Sequence, residues 1–283
     1  MGEPRSFKAR RFARWRRLAV MPILLVPFVV QFGTVSPARA MGGGDGCNPN
    51  RRSDLIHYRF NGYSAWDRFN GASQNDFVYG AEANILVYSP WVDYRTATVK
   101  NKEYSSDVTA WTMLQNRAAP TTASYAQDGW IELPKGSRHD LIEFADSQGH
   151  DYQYLYNPAP INNSVTYRTE FNPNDTMFRF YLGDWSGSQA RMTVPISKVN
   201  FAPNEAEFFV ETHSGADQEA GGTSYNENFW WPQVMDQHNG NYHIADTYYG
   251  INDSSSYGLY PGTGWQSLYN INHFSTWDTA CGH

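Results

Sequence analysis

The chain of 283 residues has only two cysteines, and beyond its first forty positions it is poor in cations. It also lacks any long amphipathic period and any internal repeat. Each shortage excludes something. Eight of the 22 Lys and Arg residues (Arg5, Lys8, Arg10, Arg11, Arg14, Arg16, Arg17 and Arg39) precede position 41, with a single acid, Glu3. Residues 41–283 carry 14 basic against 27 acidic residues, a net charge of −13. Binding to phosphate backbones or anionic lipid needs clustered Lys and Arg, so nucleic acid and membrane surfaces are excluded as partners of the mature chain. No G-x-S-x-G occurs, which removes the nucleophile elbow. The eight histidines are scattered, with no H-E-x-x-H, which removes the zincin pattern. No metal or other cofactor is expected. Asp175, Asp184, Asp236 and Asp253 are turn carboxylates of a kind that calcium accepts, and equally of the kind that caps turns.

The first forty residues explain the early cations. A basic stretch from Arg5 to Arg17 leads into an apolar run, Leu18 to Phe32, and then Ala38-Arg39-Ala40. This is the grammar of a secretory signal peptide cleaved after Ala40, and the run falls short of the roughly 20 residues that span a bilayer. The mature protein is therefore expected to be secreted. Residues 41–53 read as an extended lead-in and 54–283 as one domain. Cys47 and Cys281 then lie near the two ends of a chain bound for an oxidising compartment, and they are expected to pair. Closing so long a loop is worth up to about 5 kcal/mol in the chain-entropy model.

Short runs rich in Val, Ile, Tyr, Phe and Trp alternate with Gly, Pro, Asn, Asp and Ser throughout the mature chain. That pattern predicts about a dozen strands and little helix. Among the expected strands are 77–88, 108–115, 124–133, 140–144, 165–171, 177–182 and 206–212, with others at 55–60, 152–156, 191–196, 242–248 and 268–274. Strands without intervening helices imply an all-β, antiparallel two-sheet sandwich of jelly-roll or concanavalin-like form. In the run around Glu211, Ala206, Phe208 and Val210 share one face and should meet the core. Glu207, Phe209 and Glu211 share the other. Around Gln127 the alternation is less clean: Tyr125, Gln127, Gly129 and Ile131 oppose Ala126, Asp128, Trp130 and Glu132, and neither set is the evident buried face.

Two of these runs carry a resemblance. Tyr125-Ala126-Gln127-Asp128-Gly129-Trp130 is similar to the strand bearing the first dyad residue of secreted glutamic peptidases, a Glu before Gly-Trp in neprosin-like proteins and a Gln in eqolisins. Ala206-Glu207-Phe208-Phe209-Val210-Glu211 is similar to the eqolisin Ala-Glu-Trp-Ile-Val-Glu strand. Gly80 to Ile85, Tyr104-Ser105 before Trp111, and Phe178 to Tyr181 before Phe201-Ala202-Pro203 fit the neprosin-like layout. The pattern departs from neprosins at Gln127 and at Gly215-Ala216-Asp217-Gln218. The resemblance implies an acid-acting glutamic-type endopeptidase acting on peptide or protein. Glu211 would activate water and Gln127 would hold the oxyanion, with Trp130, Glu207 and Phe209 as substrate contacts. Each has a plainer reading: Trp130 as packing, Gln127 as a strand amide bonded to a neighbour, Glu211 as a rim carboxylate.

Two other functions fit the same residues. Trp230-Trp231, Tyr248-Tyr249, Tyr257, Tyr260 and Trp265 suit a non-catalytic module whose rings stack on glycan. Glu207 and Glu211, on one face of one strand, suit the carboxylate pair of a glycosidase.

Overall fold

A computed structural model describes residues 59–66, 77–90, 92, 96–99, 102–116, 125–146, 150–157, 160–183, 189–212, 217–218, 228–237, 240–252, 257–267 and 271–278. The expected signal peptide, the expected lead-in and both cysteines, and so the expected Cys47–Cys281 pairing, lie outside the described residues.

Among the described residues seventeen strands, numbered in chain order, build two antiparallel sheets and a separate hairpin. The larger sheet runs β16 (Gly264–Ser267), β14 (Thr247–Asn252), β1 (Arg59–Trp66), β12 (Glu205–Thr212), β5 (Val108–Gln115), β6 (Tyr125–Leu133), β7 (Ser137–Ala145) and β8 (Asp151–Leu155). The smaller runs β11 (Met192–Pro195), β10 (Met177–Leu182), β9 (Ser164–Asn172), β2 (Val78–Leu86), β13 (Phe229–Asp236), β17 (His273–Asp278) and β15 (Tyr257–Tyr260). The hairpin is β3 (Thr96–Val99) with β4 (Lys102–Ser105), and the one helical turn among the described residues is α1 (Ile196–Val199). The all-β, two-sheet architecture is the one the sequence pattern implies.

The inner faces meet in one apolar core. Tyr63, Ala110, Leu114, Trp130, Phe144, Phe208 and Tyr248 come from the larger sheet, and Ala81, Ile85, Tyr167, Phe178, Phe180, Phe229 and Phe274 from the smaller. Ala206, Phe208 and Val210 join that core as the alternation of β12 requires. In β6 the inward set is Ala126, Asp128 and Trp130. Trp130 is therefore a core residue and is withdrawn as a wall of any binding site.

Asp128 is inward because its hydrogen bonds are there. Its carboxylate accepts from the Thr112 hydroxyl at 2.8 Å and, across the sandwich, from the Thr169 hydroxyl at 3.0 Å. It also accepts from the backbone N–H groups of Arg168 and Tyr181, each at 3.2 Å. A buried carboxylate needs such partners, and this one ties β5 and β6 to β9 and β10.

The irregular strand is β13, which contains Pro232. A proline cannot donate to the ladder, and the pairing with β2 shifts register between Trp230 and Gln233. Trp231 stands at the shift with φ of 52°. The liberated Pro232 carbonyl accepts from the Tyr248 hydroxyl at 2.5 Å.

Candidate functional site

The outer face of the larger sheet carries the candidate groups Gln127, Glu207 and Glu211. Antiparallel partners point to the same side, so the register can be read straight across the strands. One row runs Trp265, Tyr249, Ser64, Glu207, Met113, Gln127, Glu143 and Gln153. The next holds Ile251, Gly62, Phe209, Trp111, Gly129 and Leu141, and a third holds Phe60, Glu211, Thr109, Ile131 and His139.

The middle row is the apolar floor. Trp111 and Phe209 stack at 5.5 Å between ring centroids, and Phe60 meets Phe209 edge-on at 6.3 Å. Met113, Tyr125 and Ala145 complete this second buried cluster. Glycines flank the two large rings. A Cβ on Gly129 would lie 2.0 Å from the Ala110 carbonyl oxygen, and one on Gly62 would lie 2.1 Å from that of Phe208. The neighbouring backbones approach so closely that only glycine fits.

Gln127 is set by the β6–β7 hairpin. Leu133-Pro134-Lys135-Gly136-Ser137 turns with positive φ at Lys135 and Gly136, and this fixes Gln127 opposite Glu143. The Gln127 amide Nε2 donates to Glu143 Oε2 at 2.9 Å. The Tyr125 hydroxyl holds the other oxygen of Glu143 at 2.9 Å and lies 3.2 Å from Asp151 Oδ1. One N–H of Gln127 is thus committed, its orientation is locked, and the second N–H belongs to the same nitrogen.

Glu207 is half-buried on β12 and accepts from the Ser64 hydroxyl at 3.4 Å. Gln115 Nε2 donates to it as well and reaches Glu205 Oε2 at 3.3 Å, so one amide bridges two carboxylates that share a strand face. Loss of water and the nearby Glu205 push the Glu207 carboxyl up to about 8, with Glu211 adding in the same direction and the Ser64 and Gln115 bonds opposing.

The expected partners are therefore sorted by the register. Gln127 and Glu207 are level, one strand apart on either side of Met113, at about 10 Å between Cα atoms for strands about 4.8 Å apart. Gln127 and Glu211 are separated by the same two strand spacings and by two further rows, about 16 Å, with the Trp111 and Phe209 rings in the intervening row. Between Cα atoms that pair is thus wider apart than Gln127 and Glu207. Glu207 and Glu211 lie about 13 Å apart along their strand, and the buried Phe209 stands between them. Phe209 itself is floor packing, without an open ring face.

Ser64, Gln115, Glu143 and Glu205 escaped the sequence reading. The parity of Glu205 with Glu207 was legible; the other three are adjacent only through a register that sequence does not display. Among the described residues no group of three His, Cys, Asp or Glu is placed to hold a metal ion. Asp175 is bonded to Arg179, and Asp236 lies 3.5 Å from His243. Asp184 and Asp253 lie outside the described residues.

No family model and no curated protein matches this chain. Among solved structures it is similar to scytalido-glutamic peptidase with a peptide-based transition-state analogue, at 13% identity and a TM-score of 0.49, covering 79% of this chain and 99% of that one. It is similar to SCP-B, a member of the eqolisin family of peptidases in complex with the tripeptide Ala-Ile-His, at 14% identity and a TM-score of 0.48 over the same shares. A Bacillus licheniformis β-glucanase is similar at 12% identity and a TM-score of 0.32, over 49% of this chain and 55% of that one. Likenesses of this size transfer no chemistry, which has to be read from the residues of this chain.

Proposed function

We propose that this protein is a secreted glutamic-type peptidase in which Glu207 activates the attacking water and Gln127 stabilises the oxyanion. The observation that supports it is the level placement of Glu207 and Gln127 across Met113 on an outward sheet face, each held by its own hydrogen-bond partners. Ionised Glu207 takes a proton as water oxygen attacks the peptide carbonyl carbon. It then returns that proton to the amide nitrogen as the C–N bond breaks. The second N–H of Gln127 donates to the carbonyl oxygen while it carries negative charge. Met113 is the soft floor beneath the reacting bond. Glu211 takes no direct part.

The resemblance to eqolisins implies action at acid pH, whereas a base raised to about 8 gives kcat/KM that climbs as pH rises through neutrality. Secretion rests on the leader sequence alone. The test is digestion of a denatured protein mixture by the purified mature chain across pH 3 to 9, with new termini read by mass spectrometry. New termini that disappear with Glu207→Gln support the reading. A folded sample that generates none at any pH overturns it.

A second reading has its own observation. Tyr249 and Trp265 expose their rings side by side, as in a glycan-binding module without catalysis.

A further inference from the structure

The row that holds Glu207 and Gln127 does not end at Ser64. Ser64 pairs with Tyr249 on β14, and Tyr249 pairs with Trp265 on β16. Tyr248 points inward, fully buried, with its hydroxyl on the Pro232 carbonyl. Strand alternation therefore fixes Tyr249 outward, on the face of Glu207. The Tyr249 and Trp265 rings meet edge to face, 5.1 Å apart and inclined at 67°. Trp265 is 60% exposed and Tyr249 36%, while the aromatic floor beside them is closed. Large rings left open to water, fixed against one another and continuous with a row of polar groups, are the mark of a contact site.

The geometry points to a side-chain subsite at Tyr249 and Trp265 that takes an aromatic or large aliphatic residue of the peptide substrate, about four to six residues from the bond cleaved. The inference rests on the peptidase reading of the row. A chain laid along the row crosses the strands, with its cleaved bond between Glu207 and Gln127 and its end toward Tyr249 and Trp265. The bond lies over Met113 of β5, and Tyr249 is three strands from β5 and Trp265 four, about 14 and about 19 Å at ~4.8 Å per strand. An extended peptide advances about 3.4 Å per residue, which sets the count. An edge-to-face pair presents one open ring face, suited to an apolar side chain that gains by leaving water. The site supplies specificity at a distance, and the reacting groups stay with Glu207 and Gln127.

The experiment uses internally quenched peptides that differ only in carrying Phe or Ser at each of six positions on either side of the cleaved bond. They are tested against the wild type, Trp265→Ala, Tyr249→Ala and Trp265→Phe, with melting temperatures as the folding control. The expected result is that Phe at one position four to six residues from the bond raises wild-type kcat/KM about tenfold. That preference falls to about parity in Trp265→Ala and persists in Trp265→Phe. A wild type indifferent at those positions, or a preference that survives in Trp265→Ala, overturns the subsite. Should the wild type cleave none of the peptides, the peptidase reading fails and the subsite is read by binding. Indole fluorescence quenched by the Phe peptide, and lost in Trp265→Phe, would still support it. Quenching by a cello-oligosaccharide instead of the Phe peptide, or by neither, would overturn it.

Discussion

Gln127 and Glu207 are level with one another on the outer face of the eight-stranded sheet, with Met113 of the intervening strand between them. Everything proposed about chemistry rests on that placement. Gln127 is anchored on its far side by Glu143, and Glu207 on its far side by Ser64 and from the intervening strand by Gln115. Both are therefore oriented before a substrate arrives, as a site that stabilises developing charge requires.

Gln127→Ala removes the proposed oxyanion donor. Peptidase kcat should fall by about 10²- to 10³-fold, near 3 kcal/mol, with KM changed far less. Steady-state kinetics on one quenched peptide checks this. A rise in KM with kcat intact would assign Gln127 to substrate binding.

Gln115 donates to the Glu207 carboxylate and so favours its charged form. Gln115→Leu leaves burial and the neighbouring Glu205 unopposed by that bond. The ascending limb of the kcat/KM profile should move to higher pH by about half to one unit. An unmoved limb would show that the bridge does not tune the base.

Much of the fold was legible because strand grammar is local. The runs at 108–115, 177–182 and 206–212 were read close to their observed limits, and the alternation of β12 named its core face. Strand β13 was missed because Pro232 interrupts its pattern, and β15 and β16 because Gly258, Pro261, Gly262 and Gly264 make that stretch look like loop. The expected strand at 242–248 begins at Thr247, after a single bridge at His243. The site was legible as a set of residues and not as an arrangement. Gln127, Glu207 and Glu211 all face outward on the larger sheet, yet which of the two β12 carboxylates is level with Gln127 depends on how β5 registers with both neighbours. A shift of one residue reverses a strand's faces, and no local pattern states the register. Trp130 was misplaced among the substrate contacts because the face holding Asp128 looks polar until Thr112, Thr169 and two backbone N–H groups are found around that carboxylate.

Burial pushes the Asp128 carboxyl up to about 7 from its ordinary 3.8, despite four hydrogen bonds that favour the charge. The folded state therefore holds a proton that the unfolded chain releases between those values. The stabilisation is complete below pH 3.8 and is lost as pH rises through about 7, at most about 4 kcal/mol at ~1.4 kcal/mol per pH unit. Glu207, raised to about 8, acts with the same sign. Urea unfolding should give greater stability at pH 5 than at pH 8.5, and Asp128→Asn should flatten the difference. Stability that rises over that interval would contradict the buried, proton-holding Asp128.

Gly129→Ala tests the closeness of β5 and β6 beneath the floor. Its Cβ would meet the Ala110 carbonyl oxygen at 2.0 Å and the Trp111 Cα at 2.7 Å, both backbone atoms that cannot turn aside. The variant should lose about 3 kcal/mol in urea unfolding. A loss within about 0.5 kcal/mol would mean that the strands lie further apart.

The most direct test of the central claim is the pH dependence of kcat/KM on one quenched peptide, measured for the wild type, Glu207→Gln and Glu211→Gln. The expected result is a wild-type profile that rises toward a limb near pH 8, a loss of at least about 10²-fold in Glu207→Gln, and activity kept within about tenfold in Glu211→Gln with the limb moved slightly to lower pH, because one like charge is removed. An acid optimum that survives Glu207→Gln and vanishes with Glu211→Gln would contradict it and return the base to Glu211.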